Sequence, residues 1–288
     1  MMKPLLDDID AIITNRTSGA SELAVQALQA LAKSVKTSQA ATPELFTSEL
    51  QEVIAALAKC RPTMATIYNA VHRFQQQLQT CVELSSTLPE LQNYCMKALD
   101  QLKKDVIVNK KQSIINAANF INTGTTIATC SYSSTLVDAI HNAVLQGKTM
   151  LLLVMKSQAG AISYGEQSRL RFAADGLNCR VIPDDILPDS LDGVDLVLLG
   201  ADTVFKDGSV LNGYPSLKLA ETAAVHNPTV PVYVICDSLK FSLDRRLDKI
   251  EEGFEAIPFK FITGLISEDG VFKKEKMLDY LSSRAIYS

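Results

Sequence analysis

Two side chains in this sequence are placed for acid/base chemistry. Residues 196–202 read Leu-Val-Leu-Leu-Gly-Ala-Asp, an apolar run that ends in two small residues and one carboxylate, Asp202. In an open α/β sheet, that pattern puts an acid at the carboxyl end of a buried strand, where ligands bind. Earlier in the chain, Ile127-Ala128-Thr129-Cys130-Ser131 ends another short apolar strand on a thiol. A thiol and a carboxylate, each at the end of a parallel strand, are the makings of an acid/base pair for a small substrate. A helix start directly after Cys130 would acidify the thiol.

The elements that must hold this pair follow from a change of pattern near residue 121. Before it the chain reads as helices only. Leu23, Ala24, Ala27, Leu28, Leu31 and Val35 recur at helical spacing, as do Phe46, Leu50, Val53, Ile54 and Leu57. Thr42-Pro43-Glu44 is a helix start, with a hydroxyl cap, a proline in the first turn and an acid at the positive end. Further helices are expected from Thr63 through Phe74 and from Leu91 into Val106. After residue 121, short apolar runs alternate with helical segments, the βαβ signature. Strands are expected at 126–129, 149–155, 180–182, 195–199 and 231–236, with helices at 134–145, 167–174 and 216–225. The expected fold class is α/β: a helical domain over 1–110, then a Rossmann-like, doubly wound, mainly parallel sheet over 111–288.

Composition removes several classes of function. The formal net charge is −4 over 288 residues and no basic block stands out, which argues against direct nucleic-acid binding. Six cysteines lie scattered without a C-x-x-C pair, which fits a reducing compartment better than a disulfide framework. His72, His141 and His226 are far apart, so no metal ligand set is visible and the three are read as structural. There is no G-x-G-x-x-G and no Walker A sequence, which argues against a dinucleotide or ATP enzyme. No apolar run is long enough to span a bilayer, and a soluble, cytoplasmic protein is expected.

The order of motifs resembles the initiation factor 2B alpha/beta/delta family, which includes methylthioribose-1-phosphate isomerase and ribose-1,5-bisphosphate isomerase. Arg61-Pro62-Thr63 resembles the helix start of that family's helical domain, and Thr129-Cys130-Ser131 the strand end that carries the isomerases' catalytic cysteine. Gly200-Ala201-Asp202, followed by Asp207-Gly208 and Asn212, resembles the segment with the catalytic aspartate. Ser238-Leu239-Lys240-Phe241 resembles the Lys-Phe pair after the penultimate strand, and Glu268-Asp269-Gly270 part of the carboxyl-terminal signature. The resemblance implies an aldose–ketose isomerase without metal or organic cofactor, acting on a ribose 1-phosphate derivative. Cys130 would then handle the carbon-bound proton and Asp202 the oxygen-bound one. It also implies a homodimer or larger homo-oligomer.

Three positions depart from the isomerase pattern. Arg-Gly-Ala becomes Ser18-Gly19-Ala20, with Arg16 upstream; Arg-Pro after the second strand is replaced within Lys156-Ser157-Gln158-Ala159-Gly160; Asn-Lys becomes Asn212-Gly213. Arg16 with Ser18, Gly19 and Ala20 reads either as a phosphate cradle at a helix start or as an ordinary helix cap. Arg61 reads either as a tie between the domains or as a phosphate contact. Asn212 is expected to orient a hydroxyl, and Lys240 to meet a phosphate or cap a helix. Two further readings remain: a non-catalytic subunit of an initiation factor 2B-like assembly, or sensor of a phosphorylated sugar or nucleotide, and a structural oligomer. The first is favoured by the altered cationic positions and opposed by Cys130 and Asp202.

Overall fold

A computed structural model describes residues 3–185, 191–226, 229–242 and 250–285, and the side chains of 3–5 and 285 are left aside. The chain divides into two compact units, Met1–Val108 and Asn109–Ser288.

The first unit is helical. It comprises α1 (Lys3–Thr14), α2 (Ala20–Thr37), α3 (Pro43–Leu57), α4 (Ala65–Glu83) and the start of α5 (Leu88–Phe120). The apolar stripes expected on α2 and α3 are buried together with Ile67, Val71 and Phe74 of α4. Thr42 caps α3 by accepting a hydrogen bond from the Leu45 amide at 3.3 Å. The helix expected to end near Val106 continues to Phe120, through the boundary between the units. Its polar middle hid this length, because the apolar positions there do not repeat on one stripe. The helix α1 falls within the stretch that reads as helices only, where the spacing singles out no particular helix.

The second unit is built on a seven-stranded sheet: β1 (Thr125–Thr129), β2 (Met150–Met155), β5 (Asn178–Ile182), β6 (Leu196–Leu199), β9 (Val232–Ile235), β12 (Gly264–Ser267) and β13 (Gly270–Lys273). Their order is β13-β12-β9-β6-β1-β2-β5, with every pairing parallel except β12 with β13. The chain runs outward from β1 through β2 to β5, then returns to the other side of β1 as β6. The topological switch point of this doubly wound sheet therefore lies between β1 and β6.

Alternate residues of each strand feed separate cores. Ala128, Leu199, Val234 and Cys236 belong to one layer with α8 (Ser216–Val225) and α9 (Lys274–Ala285). Ile127, Leu198 and Ile235 belong to the other, with α6 (Ser134–Leu145), Phe172 of α7 (Tyr164–Ala174) and the end of α5. Burial on both faces explains why the central strands β6 and β9 read as unbroken apolar runs.

A four-stranded sheet not expected from the sequence joins β7 (Thr203–Phe205), β8 (Val210–Gly213), β10 (Phe241–Ser242) and β11 (Phe254–Ile257) in the order β10-β7-β8-β11. A two-stranded piece pairs β3 (Gln158–Ala159) with β4 (Ile162–Ser163). These strands are only two to four residues long, too short to display a period.

Gly165 brings α7 against the end of β2: a Cβ there would stand 2.1 Å from the Met155 carbonyl oxygen. Backbone on both sides leaves no flexible atom to yield. Gly165→Ala is expected to lower stability by about 1–3 kcal/mol, read as a lower urea midpoint at unchanged m-value.

Candidate active site at the switch point

Cys130 is the first residue after β1, and Asp202 follows β6 by three residues. In register, Ala128 stands opposite Val197, so the two strands that flank the switch point deliver the thiol and the carboxylate to the same edge of the sheet. Leu199 of β6 stands opposite Val234 of β9; three residues beyond each lie Asp202 and Asp237.

The turn after Cys130 is held by an unusual hydrogen-bond chain. Ser131 and Ser157, at the ends of adjacent strands β1 and β2, both have left-handed backbone, with φ of 61° and 51°. That conformation costs a residue other than glycine roughly 1–3 kcal/mol and persists only where its surroundings impose it. The Ser131 amide donates to Ser157 Oγ at 2.7 Å, and the Ser157 amide donates to Asp184 Oδ1 at 2.7 Å. Asp184 Oδ2 accepts from the Gln158 amide at 3.0 Å, and Ser168 Oγ donates to the Ser131 carbonyl at 3.2 Å.

The small sheet closes the other side. Gly213 has no side chain, and the place its Cβ would take lies 2.3 Å from Ser131 Oγ. A Cβ on Gly200 would likewise meet Ser133 Oγ at 2.4 Å, with Asn212 Oδ1 at 3.9 Å. Asn212 is 4% exposed and its Nδ2 has no hydrogen-bond partner. Opposite it in the β8–β11 register stands Glu255, whose Oε2 accepts from the Leu217 amide at 2.9 Å.

Electrostatics reverse one expectation. Cys130 is 2% exposed, and burial, then the nearby carboxylates of Glu255 and Asp184, push its thiol well above the ordinary range. The positive end of α6 does not win against desolvation and two like charges, so the resting thiol is neutral. Burial also raises the carboxyls of Glu255 and Glu268.

Lys240 is not the solvated lysine its residue type suggests: it is buried, in the short helical turn Ser238–Lys240 after β9. Next to it, Asp237 is 1% exposed and burial raises its carboxyl, opposed chiefly by the Lys240 charge. Its Oδ1 accepts from the Leu239 amide at 3.1 Å, whereas Oδ2 has no hydrogen-bond partner. Leaving a buried acceptor open costs roughly 1–3 kcal/mol. Glu268, after β12, accepts from the Ser238 amide at 3.0 Å and from its hydroxyl.

The remaining expected residues lie in the helical unit. Arg16 is exposed and its Nη1 donates to the Ile13 carbonyl. Asn15 Oδ1 accepts from the amides of Thr17 and Ser18, both at 2.9 Å, and Gly19 precedes α2, whose first residue is Ala20. Arg61 is buried and its Nη1 donates to the Asn15 carbonyl at 2.9 Å. Thus Arg16, Ser18 and Arg61 gather around Asn15. His141 and His226, read as structural, pair with Asp175 and Asp192. Among the described residues, no three His, Cys, Asp or Glu side chains converge as a metal ion would require.

The sequence reading missed Ser157, Asp184, Glu255 and Asp237. Only Asp237 carried a signal, since Val-Ile-Cys-Asp repeats the logic of Leu-Gly-Ala-Asp: an apolar strand that ends on an acid.

Comparison with known proteins agrees with this architecture. Residues 16–254 match the model of the initiation factor 2 subunit family. The chain belongs to that family. A curated member from Haloferax volcanii, ribose 1,5-bisphosphate isomerase, is 25% identical over 93% of this chain and 88% of its own length. The methylthioribose-1-phosphate isomerase of a Thermoanaerobacter species is 24% identical over 82% of this chain and 78% of its own. Among solved structures, the tetrameric eIF2B-beta2-delta2 complex from C. thermophilum superposes with a TM-score of 0.81 at 18% identity, covering 97% of this chain and 93% of that one. The α/β fold with its helical amino-terminal region is therefore that of the family.

Two measurements test this site. A neutral, buried thiol should react slowly: below pH 9, iodoacetamide should label Cys130 at least about tenfold more slowly than a free thiol, read by peptide mass mapping. Labelling at the free-thiol rate would contradict the electrostatics above. Ser157→Ala removes the acceptor of the Ser131 amide, and a loss of about 1–3 kcal/mol is expected in chemical denaturation.

Proposed function

We propose that the chain is an aldose–ketose isomerase acting on a ribose 1-phosphate derivative, with Cys130 and Asp202 as its acid/base pair. The observation that carries the reading is their delivery by β1 and β6 to the two sides of the switch point. Support comes from curated relatives named as isomerases of ribose 1,5-bisphosphate and of methylthioribose 1-phosphate.

The chemistry of such a substrate sets what the pair must do. Isomerisation moves one hydrogen from C2 to C1 and one proton from the C2 hydroxyl to the ring oxygen. A neutral thiol enters as an acid, so in this proposal Cys130 protonates the ring oxygen as the ring opens. Asp202 accepts the C2 hydroxyl proton, and the hydrogen passes from C2 to C1 with its electron pair. The product is a ketone with the phosphate retained on C1. Asp202 then returns its proton to the thiolate, which the carboxylates beside it disfavour. This differs from the expectation that Cys130 handles the carbon-bound proton, and the difference rests on the neutral thiol.

Asn212 and Lys240 are proposed as ligand contacts on the same edge; Arg16, Ser18, Gly19, Ala20 and Arg61 are proposed, within the helical unit by itself, as a phosphate-binding group. A homo-oligomeric assembly belongs to the same proposal; the C. thermophilum complex, a tetramer of two kinds of subunit, supports oligomer formation as such. A second reading, a non-catalytic translation-factor subunit, is favoured by one observation. At Gly213, where the isomerases resemble one another in a lysine, Ser131 fills the space a side chain would need.

Turnover of ribose 1,5-bisphosphate and methylthioribose 1-phosphate decides between them. Wild type should convert one of the two, and Cys130→Ser and Asp202→Asn should each lower kcat by about 10²–10⁴. Binding without conversion would establish the second reading. With substrate deuterated at C2, the label should remain on C1 of the product; its exchange with solvent would return Cys130 to the carbon-bound proton.

A further inference from the structure

Asp237 has no part in the reaction as drawn, yet it is the most deeply buried carboxylate described at the edge where the acid/base pair sits. Asp237 follows β9 as Asp202 follows β6, and the two strands are neighbours. One of its oxygens is satisfied by the Leu239 amide, while the other is buried without a partner. Native structures rarely leave such an atom open, and a ligand that completes it is one standing explanation.

The surroundings say what kind of group fits. The charge of Lys110 acts on Asp237, and Lys110 Nζ also donates to Ser134 Oγ at 3.2 Å, in the first turn of α6, just beyond the Cys130 turn. Asp237 thus follows the strand next to β6, at the carboxyl end of the sheet where the switch point lies. Against the carboxylate's own oxygen, with the Glu268 carboxyl one strand beyond, a second anion is disfavoured, whatever Lys240 holds on its other side. A metal ion would want more ligands than converge there among the described residues. A neutral donor is what remains, a hydroxyl above all. At the same edge, the open Asn212 Nδ2 is a donor that wants an acceptor. One buried acceptor and one buried donor, both open, match a pair of sugar hydroxyls, since each hydroxyl can donate or accept.

We infer that Asp237 is a specificity residue that accepts a hydrogen bond through Oδ2 from a ring hydroxyl of the sugar phosphate. The inference rests on the sugar-phosphate reading of this edge, but not on turnover. Isothermal titration of the full chain with ribose 1-phosphate and with its 2-deoxy and 3-deoxy analogues tests it. Wild type should bind ribose 1-phosphate about 10- to 100-fold more tightly than one of the two deoxy compounds. Asp237→Asn keeps the shape and the Leu239 contact, and should shrink that ratio to within about threefold; Asp237→Ser should do the same. A purely structural role for Asp237 would lower the melting temperature and weaken all three sugars alike, leaving the ratio intact. That result overturns the inference, as does a wild-type ratio near one or failure of wild type to bind any of the three. A ratio that depends on Asp237 in a protein that turns over neither isomerase substrate would sink the isomerase proposal and leave this one standing.

Discussion

The structure of the second unit depends on the parallel pairing of β1 with β6. Every other strand of the large sheet is added to one side or the other of that pair, and the chain reverses its direction of growth across it. Reversal has a geometric consequence. The connections from β1 and β6 leave toward opposite faces of the sheet, so their carboxyl ends splay and a crevice opens between them. Cys130 and the Gly200-Ala201-Asp202 segment occupy that opening because they are the first residues past the two strands.

What surrounds the crevice is dense in carboxyl groups. Asp184, Asp237 and Glu268 follow β5, β9 and β12, Glu255 lies in β11, and burial raises three of the four. Acids placed together in a poorly solvated edge make a thiolate expensive, so the thiol is kept neutral. The left-handed serines point the same way. Strain at Ser131 and Ser157 is held by Ser157 Oγ and the Asp184 carboxylate, which fixes the path of the chain beside Cys130. Residues far from one another in sequence thus set the protonation state and the placement of a single sulfur.

Much of the fold was legible in the sequence. The stripes on α2 and α3 and the unbroken apolar runs of β2 and β6 state their periods plainly, because burial on one face or on both leaves a signature in residue type. The four-stranded sheet was not legible. Its strands are too short to show a period, and two of them, β7 and β10, meet across more than thirty intervening residues. The full length of α5 was hidden by its polar composition.

The candidate site divides in the same way. Cys130 and Asp202 were visible because each ends an apolar strand, a purely local pattern. Which strands are neighbours is not local, and neither is what burial does to an ionisable group. By itself, the sequence determined the helical and βαβ halves, the strand ends that carry a thiol and an acid, and the family. Tertiary structure alone decided that β6 returns to pair with β1 and that burial, with Glu255 and Asp184 beside it, holds the thiol neutral. It also decided that Lys240 and Asp237 are buried together rather than solvated. The reason is physical: propensity and periodicity are written along the chain, whereas desolvation and charge–charge interaction depend on distances that only the packed fold defines.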